Sequence, residues 1–154
     1  IGLSVIAVAV SSYAEVGLSA RYRHQVEAGN LMGAEEIDGL YDLVVECTGT
    51  DNSVNQAVEL CRPNGKILLL GTYWEGISFP QLSAMLKEIT IVNSYTYAAP
   101  VSERDFDIAA AILARNPRIA SALITHRFPL VEVNQAFMVA RDRKAGAIKV
   151  VLEP

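Results

Sequence analysis

Small and hydroxyl-bearing residues follow several apolar segments that are expected to be strands, and these positions could hold a ligand. In parallel α/β sheets, ligands bind outside the carboxyl ends of the strands, where short side chains let them approach the backbone. The alternative is that glycine and threonine simply turn the chain after each strand. The sets are Ala20-Arg21, Thr48-Gly49-Thr50, Gly71-Thr72-Tyr73 and Asn93-Ser94-Tyr95.

A glycine and two arginines suggest which ligand this would be. Gly2 precedes an apolar helix, so it could close a turn that holds a pyrophosphate on helix N–H groups. The next strand is expected to end at Ala20, where proteins that bind NAD place an acid against the ribose hydroxyls. Arg21 and Arg23 follow instead, and arginine binds a 2′-phosphate that an acid would repel. This pattern favours NADP over NAD, unless both arginines merely open a solvated helix.

Other conspicuous side chains have simpler interpretations. His126 has no carboxylate nearby in sequence, which favours a structural hydrogen bond over a general-base role. Tyr73 and Trp74 follow a strand end and could either wall a substrate pocket or plug a subunit contact. No catalytic residue and no metal ligand is predicted within this chain.

Composition indicates a globular domain. The chain has 154 residues, 51% of them hydrophobic, which is enough for a core. Its net charge of −4 and scattered basic residues argue against nucleic acid as a partner. Cys47 and Cys61 do not have a zinc spacing, and two thiols suggest a reducing compartment. The apolar stretch 2–14 lacks a basic leader and is too short to span a bilayer, so a cytoplasmic location without membrane contact is expected.

The hydrophobic pattern predicts helices and strands in alternation. The strongest strand is 41–48, predicted to be buried on both faces and to end at Gly49. Asp51 or Asn52 is expected to cap the next helix, whose predicted apolar face is Val54, Ala57, Val58 and Cys61. Pro63-Asn64-Gly65 is expected to break the chain before a strand at 66–71. The other predicted elements here are a buried helix at 3–12, a strand at 15–20, a helix at 21–32, a very short strand at 36–37, a helix at 80–87 and a strand at 89–92.

This alternation predicts an α/β fold with a doubly wound parallel sheet. Beyond Tyr97 the pattern changes, and Ser102 is expected to cap a helix that runs to about Arg115. We therefore divide the chain into a dinucleotide-binding domain at 1–95 and a C-terminal segment at 96–154 that packs on it. The predicted elements of that segment are completed by a strand at 124–128, a helix at 130–141 and a strand at 147–152.

These motifs together resemble the cofactor-binding half of medium-chain, zinc-type alcohol dehydrogenases. No single motif is decisive, but their order and spacing cover nearly the whole chain. The resemblance implies a Rossmann-like fold and hydride transfer between NAD(P) and a small alcohol or carbonyl substrate. The motifs are IGL (1–3), SARYRHQ (19–25), MGA (32–34), YDLVVECTG (41–49), RPNGKILLLG (62–71), KEITIVNS (87–94), and THRFPLVEVNQAF (125–137) through GAIKVVLEP (146–154).

The resemblance also implies roles for individual residues. Gly2 would be the third glycine of the family's Gly-rich turn, and Lys149 would pair with the pyrophosphate. Residues 47–49 would flank the adenosine ribose, whereas 70–72 and 93–95 would frame the nicotinamide, with Thr72 and Tyr95 facing the substrate. The complete cofactor-binding set expected from residues and resemblance is Gly2, Leu3, Ser19, Ala20, Arg21, Arg23, Cys47, Thr48, Gly49, Leu70, Gly71, Thr72, Asn93, Ser94, Tyr95 and Lys149.

The sequence departs from this family at its beginning. The strand before Gly2 and the first two glycines of the turn are missing, and that strand would lie in the middle of the sheet. The chain also begins with Ile rather than Met, so we expect a fragment. In the family a preceding catalytic domain supplies Cys, His and Glu ligands to zinc. We therefore expect zinc only in that missing domain and no activity from these residues alone.

Two other functions stay open. The segments YDLVVECTG and LCRPNGKILLLG also resemble those of S-adenosylmethionine-dependent methyltransferases, although these normally carry an acid where this chain has Ala20. A non-catalytic nucleotide-binding module would use the same pocket without a zinc domain. For the full-length protein a homo-oligomer is expected, because the strand at 89–92 would be an edge able to pair across a twofold axis.

Overall fold

The computed structural model describes residues 1–95, 105–142 and 144–154. Of these, 1–5 and 38–95 form one compact unit, and 6–37 with the described residues from 105 onward form a second. In chain order the elements are α1 (Gly2–Ser11), α2 (Arg23–Leu31), β1 (Tyr41–Glu46), α3 (Asp51–Leu60), β2 (Cys61–Leu69), α4 (Gln81–Leu86), β3 (Thr90–Asn93), α5 (Asp105–Arg115), α6 (Pro117–Leu123), β4 (Ile124–Pro129), a 3-10 turn (Leu130–Glu132), α7 (Val133–Arg141) and β5 (Lys149–Glu153).

The first unit contains a three-stranded parallel sheet in the order β1-β2-β3. Parallel neighbours need a crossover, which α3 supplies between β1 and β2, and α4 lies between β2 and β3 in the chain. Ile67 of β2 is fully buried and packs with α3 residues, as the central strand of a covered sheet should. The predicted apolar face of α3 is confirmed: Val54, Ala57, Val58 and Cys61 are all buried. The expected α/β fold with parallel strands is therefore confirmed.

Three expectations for the first unit need correction. Strand β1 is not buried on both faces, because Leu43 is 52% exposed and Glu46 alone among its six residues is fully buried. The cap of α3 is Thr50, not Asp51 or Asn52, since the Thr50 side chain accepts the N–H of Ser53. Pro63-Asn64-Gly65 does not break the chain before β2 but forms a bulge inside it, where Tyr41 pairs with Cys61 and Leu43 with Lys66.

The second unit is built around β4 and β5, which run parallel. Helix α7 packs on both strands and buries Ala136, and α2 packs against α6. Helix α2 packs closely on Leu18: a Cβ at Gly29 would lie 2.3 Å from Leu18 Cδ2, so that side chain would have to shift. Helix α6 was not expected from the sequence, although Asn116 followed by Pro117 is a clear start signal: Asn116 accepts the N–H of Arg118.

The strands expected at 15–20 and 36–37 are wrong. This region contains one parallel bridge, Gly17 to Glu35, supported by the bonds from Leu18 N–H to Glu35 O and from Glu35 N–H to Val16 O. Apolar content alone does not make a strand, because a strand needs a neighbour that continues the ladder of hydrogen bonds. Helix α1 is likewise less buried than expected, with Ile6 and Ala7 inside and Val8 51% exposed. The expected boundary near Tyr97 and the cap at Ser102 lie outside the described residues.

No helix in the described ranges combines the length and the apolar character that crossing a membrane requires.

Candidate cofactor-binding site

The carboxyl ends of the three strands in the first unit lie side by side. Glu46 of β1 is paired with Leu69 of β2, and Leu69 is paired with Asn93 of β3. The backbone continues this alignment beyond the strands, because Ser94 N–H donates to Leu69 O (3.1 Å). The segments predicted to contact a ligand after these strands are therefore neighbours, and Asn93, Ser94 and Tyr95 are all exposed.

The segments that follow β1 and β2 cross at very short range. We call residues 46–50 and 69–73 the strand-end crossing. The N–H groups of Leu70 and Gly71 both donate to Glu46 O, at 2.8 and 3.1 Å. A Cβ on Gly71 would lie 2.4 Å from Gly49 N, and one on Gly49 would lie 2.6 Å from Thr72 O. Gly49 also has a φ of +76°, which disfavours any side chain, so the crossing requires both glycines.

A buried carboxylate lies at the centre of the strand-end crossing. Glu46 is 3% exposed, and its side chain accepts the N–H groups of Thr48 and Gly49 and the hydroxyl of Tyr73. Burial by itself would raise the pKa of Glu46, but the hydrogen bonds from Tyr73, Thr48, Ser53 and Gly49 outweigh it, and the pKa lies below its usual value. Glu46 is therefore an ionised group that the protein has fully supplied with donors.

Tyr73 connects the two halves of the crossing. It follows β2 along the chain, yet its hydroxyl donates to Glu46 Oε2 at the end of β1. Burial raises the pKa of Tyr73 well above its ordinary range, and so does the negative Glu46 carboxylate that accepts its hydrogen bond. Tyr73 consequently stays a neutral hydrogen-bond donor at any physiological pH.

A cavity of about 610 Å³ adjoins the crossing within the first unit. Its lining residues include Tyr73 and Trp74 as well as Asp51 and Glu75. Asp51 also accepts the N–H of Ser78 (2.9 Å), which anchors the far end of the loop that follows Thr72. The volume suits a small ligand, because binding pockets commonly measure about 300–1,000 Å³.

The start of α1 has the features of a phosphate site. Helix α1 carries no acid in its first turn, and its first intrahelical bonds come from Ser4 and Val5, both to Ile1 O. The N–H groups of Gly2 and Leu3 precede those bonds, as the leading donors of a helix do. Gly2 lies next to Cys47, where an added Cβ would be 3.8 Å from the Cys47 Cβ. Burial raises the pKa of the Cys47 thiol, so the thiol would not repel an anion. These residues fit a pyrophosphate.

The remaining predicted residues belong to the second unit. Ser19 is exposed and Ala20 half-buried, and the Arg21 guanidinium lies 5.5 Å from the ring centre of Tyr22. Within the described part of the chain no carboxylate pairs with Arg21, whereas Arg23 forms a surface pair with Glu27 (2.7 Å). Lys149 is exposed at the first position of β5.

Sequence reasoning missed Glu46, which the structure places at the centre of the crossing. The segment YDLVVE reads as a continuous apolar run, and its final glutamate looks like the end of a strand. A signal was present, because a charged residue inside an apolar strand must find hydrogen-bond donors when it is buried. The Thr-Gly pair that follows two residues later supplies two of those donors.

A search of residues 1–95, 105–142 and 144–154 finds no group of three or more His, Cys, Asp or Glu side chains placed to hold a metal ion.

In nucleotide-binding α/β proteins the ligand lies outside the carboxyl ends of parallel strands, beside tight glycine turns. The first unit has both features, aligned strand ends and closely packed glycines. Comparison with known proteins defines the family. Residues 15–153 match the model of the family described as glucose dehydrogenase C-terminus, so the chain belongs to that family. The resemblance to the cofactor-binding half of medium-chain, zinc-type alcohol dehydrogenases is thereby confirmed, and the methyltransferase and non-catalytic alternatives are not favoured.

Individual relatives agree with this assignment. L-arabinitol 4-dehydrogenase from Hypocrea jecorina is 29% identical over 139 residues, which are 90% of this chain and 34% of that protein. The structure of L-idonate 5-dehydrogenase from Escherichia coli matches 99% of this chain with 24% identity and a TM-score of 0.82. A short chain alcohol dehydrogenase from E. coli CFT073, solved with NADH, matches 100% with 22% identity and a TM-score of 0.83. The chain spans about a third of the first relative and 47% and 49% of the two solved chains.

Proposed function

We propose that this chain is the cofactor-binding portion of an oxidoreductase that transfers hydride between NADP and a small alcohol or carbonyl substrate. The observation that carries the proposal is the alignment of three strand ends, Glu46, Leu69 and Asn93, in a chain that belongs to a dehydrogenase family. A relative named for L-arabinitol and a neighbour solved with NADH support a small alcohol and a nicotinamide cofactor.

Each predicted residue has a binding or orienting role in this proposal. The N–H groups of Gly2 and Leu3 hold the pyrophosphate, because the leading amides of a helix attract anions. The backbone of Cys47–Gly49 lies along the adenosine ribose. Leu70–Thr72 and Asn93–Tyr95 orient the nicotinamide, which supplies the hydride acceptor or donor when bound. Lys149 contributes a positive charge for the phosphates.

The preference for NADP rests on Ala20 and Arg21. Because position 20 is an alanine, no carboxylate there repels a 2′-phosphate, and the exposed Arg21 can bind one through charged hydrogen bonds. Ser19 and Arg23 flank this pair and complete a polar, positively charged segment. NAD is the weaker ligand in this arrangement because it lacks the phosphate.

The substitution Arg21→Ala tests this preference. The natural full chain is titrated with NADP and NAD by calorimetry, and we expect NADP affinity to fall about tenfold or more while NAD affinity hardly changes. Arg62→Ala is the matched control, because Arg62 forms a surface pair with Asp42 and has no proposed contact with the cofactor. Equal losses for NADP and NAD would contradict the preference.

Three wider expectations stay predictions. The resemblance implies zinc held by Cys, His and Glu ligands in a separate catalytic domain, and the composition favours a cytoplasmic location. A homo-oligomer would use β3, whose four residues are all exposed at the edge of the sheet. Gel filtration of the natural full chain checks the last point, and a monomer would contradict it.

A further inference from the structure

The interaction between Glu46 and Tyr73 does more than satisfy a buried charge. The Glu46 side chain binds the N–H groups of Thr48 and Gly49 within its own turn, and its backbone carbonyl binds the N–H groups of Leu70 and Gly71 in the neighbouring turn. The Tyr73 hydroxyl, which lies in the segment after β2, donates a hydrogen bond to the same carboxylate. One residue thus fixes both segments of the strand-end crossing, and one hydroxyl joins them through side chains.

We propose that Glu46 and Tyr73 are positioning residues for the cofactor: together they hold the backbone of Thr48–Gly49 against that of Gly71–Thr72. Neither residue touches the reacting atoms in this proposal. They act through the backbone on which the ribose and nicotinamide are proposed to lie, so the inference rests on the proposed function. The geometry supports this role, because any shift of Tyr73 moves its neighbour Thr72, whose carbonyl lies against Gly49.

A carboxylate is suited to this task despite the phosphates of the ligand. Glu46 is 3% exposed and accepts hydrogen bonds from two backbone amides and one hydroxyl, so its negative charge is compensated locally. An apolar residue in its place would leave those donors without an acceptor. A carboxylate also organises several donors at once, which a single hydroxyl or carbonyl does less well.

The surroundings of Glu46 give the arrangement a pH dependence. The groups that face it are the Tyr73 and Ser53 hydroxyls and the amides of Thr48 and Gly49, with the Cys47 thiol beside it and Asp51 near Tyr73. The Tyr73 hydroxyl is the largest of the influences that lower the pKa of Glu46 against burial. Without that hydroxyl the carboxyl takes up a proton at a higher pH. Once protonated, its Oε1 accepts from the Thr48 and Gly49 amides without the negative charge that strengthens those bonds.

The substitution Tyr73→Phe tests the proposal. The natural full chain and the variant are titrated with NADP⁺ by calorimetry from about pH 8 to about pH 5, a span that ends near the ordinary range of carboxyl groups. We expect the Kd to rise about tenfold at neutral pH, since the lost hydrogen bond is to a charged group. The ratio of variant to wild-type Kd should rise further toward acid. Titration of the ligand's own phosphate cancels in that ratio.

A matched control and a conservative variant separate positioning from general stability. Tyr41→Phe removes a hydroxyl that accepts the N–H of Asp38 in the same unit, outside the crossing, and should leave the Kd unchanged. Glu46→Gln keeps an acceptor oxygen but does not titrate, so its Kd should vary less with pH than that of Tyr73→Phe.

Each outcome decides between the alternatives. A Tyr73→Phe variant that melts at a lower temperature but binds NADP⁺ with the wild-type Kd and pH dependence would show a structural role only and overturn the inference, leaving the proposed function intact. A wild-type chain that binds no nicotinamide dinucleotide at any pH would overturn the proposed function and the inference together.

Discussion

The strand-end crossing and the Ser19–Arg23 segment are both predicted to contact the same kind of ligand, yet they are built in opposite ways. In the crossing, backbone meets backbone around the buried Glu46, and no Cβ fits at Gly49 or Gly71. In the Ser19–Arg23 segment the charged side chains are exposed, and Arg23 forms a surface pair with Glu27.

This difference indicates that the crossing positions the ligand, whereas the Ser19–Arg23 segment selects between dinucleotides. The close-packed crossing is proposed to position the part of the dinucleotide that NAD and NADP have in common. Substitutions in the crossing should cost much stability, because close-packed regions tolerate little change in volume. Exposed charges are exchanged at little cost and act through fields that salt screens. We therefore expect substitutions in the crossing to affect folding and binding together, and substitutions at 19–23 to change which dinucleotide binds.

The largest effect is expected for Gly49→Ala. The new Cβ would lie 2.6 Å from Thr72 O on a backbone with positive φ, so unfolding free energy should fall by about 3 kcal/mol. Gly76→Ala is the matched control, because Gly76 has a φ of +87° but nothing within 4 Å of an added Cβ, and should cost only about 1–2 kcal/mol. Urea unfolding measures both. Similar losses in the two variants would show that the crossing is not tightly packed.

The next effect is expected for Ala20→Asp in the exposed segment. A carboxylate there would repel the 2′-phosphate of NADP and could bind the ribose hydroxyls of NAD. NADP affinity should fall about tenfold or more while NAD affinity rises, and unfolding free energy should hardly change. Calorimetric titration with both dinucleotides checks this, with NAD as the internal control. An equal loss of NADP and NAD affinity would show that position 20 affects the structure of the site, as the crossing does, and does not select between the two dinucleotides.

Acid should weaken the first unit through Glu46. The pKa of Glu46 in the folded chain lies below its ordinary value of 4.5. Near pH 4.5 the carboxyl is therefore protonated in part of the unfolded chains but is still ionised in the folded chain. The stability contributed by this group is complete above that pH and is lost as the pH falls from 4.5 through the lower folded pKa. Glu46→Gln should therefore flatten the acid end of a plot of unfolding free energy against pH. Glu59→Gln, on the exposed side of α3, should leave the slope unchanged.

The smallest effect is expected for Arg23→Ala. Its partner Glu27 lies one helical turn away and both side chains are largely exposed, so the pair should contribute about 0.5 kcal/mol or less to unfolding free energy. Urea unfolding at low and high salt measures the loss. A change well above 1 kcal/mol would erase the contrast between the two regions.

The sequence predicted the first unit better than the second. The apolar runs at 43–45 of β1 and 67–69 of β2 indicate strands directly, because the two strands pair with each other and Ile67 packs against α3. The segment 15–20 was also expected to be a strand but forms only the bridge at Gly17, since ladder formation depends on a partner strand. Proline was also ambiguous: Pro63 sits in a bulge, whereas Pro117 begins a helix.

The candidate site was predictable in position but not in detail. Strand-end glycines and Arg21 were visible because glycine and charge stand out in an apolar pattern. The role of Glu46 was hidden, because its partner Tyr73 lies 27 residues further along the chain and only the parallel pairing of β1 with β2 brings them together.

The most direct test is a side-by-side calorimetric titration of the natural full chain with NADP and NAD at one pH and one salt concentration. We expect both to bind and NADP to bind at least about tenfold more tightly, because the strand ends bind the part that the two share and Arg21 binds the additional phosphate. Absence of binding, or tighter binding of NAD, would contradict the proposed cofactor site.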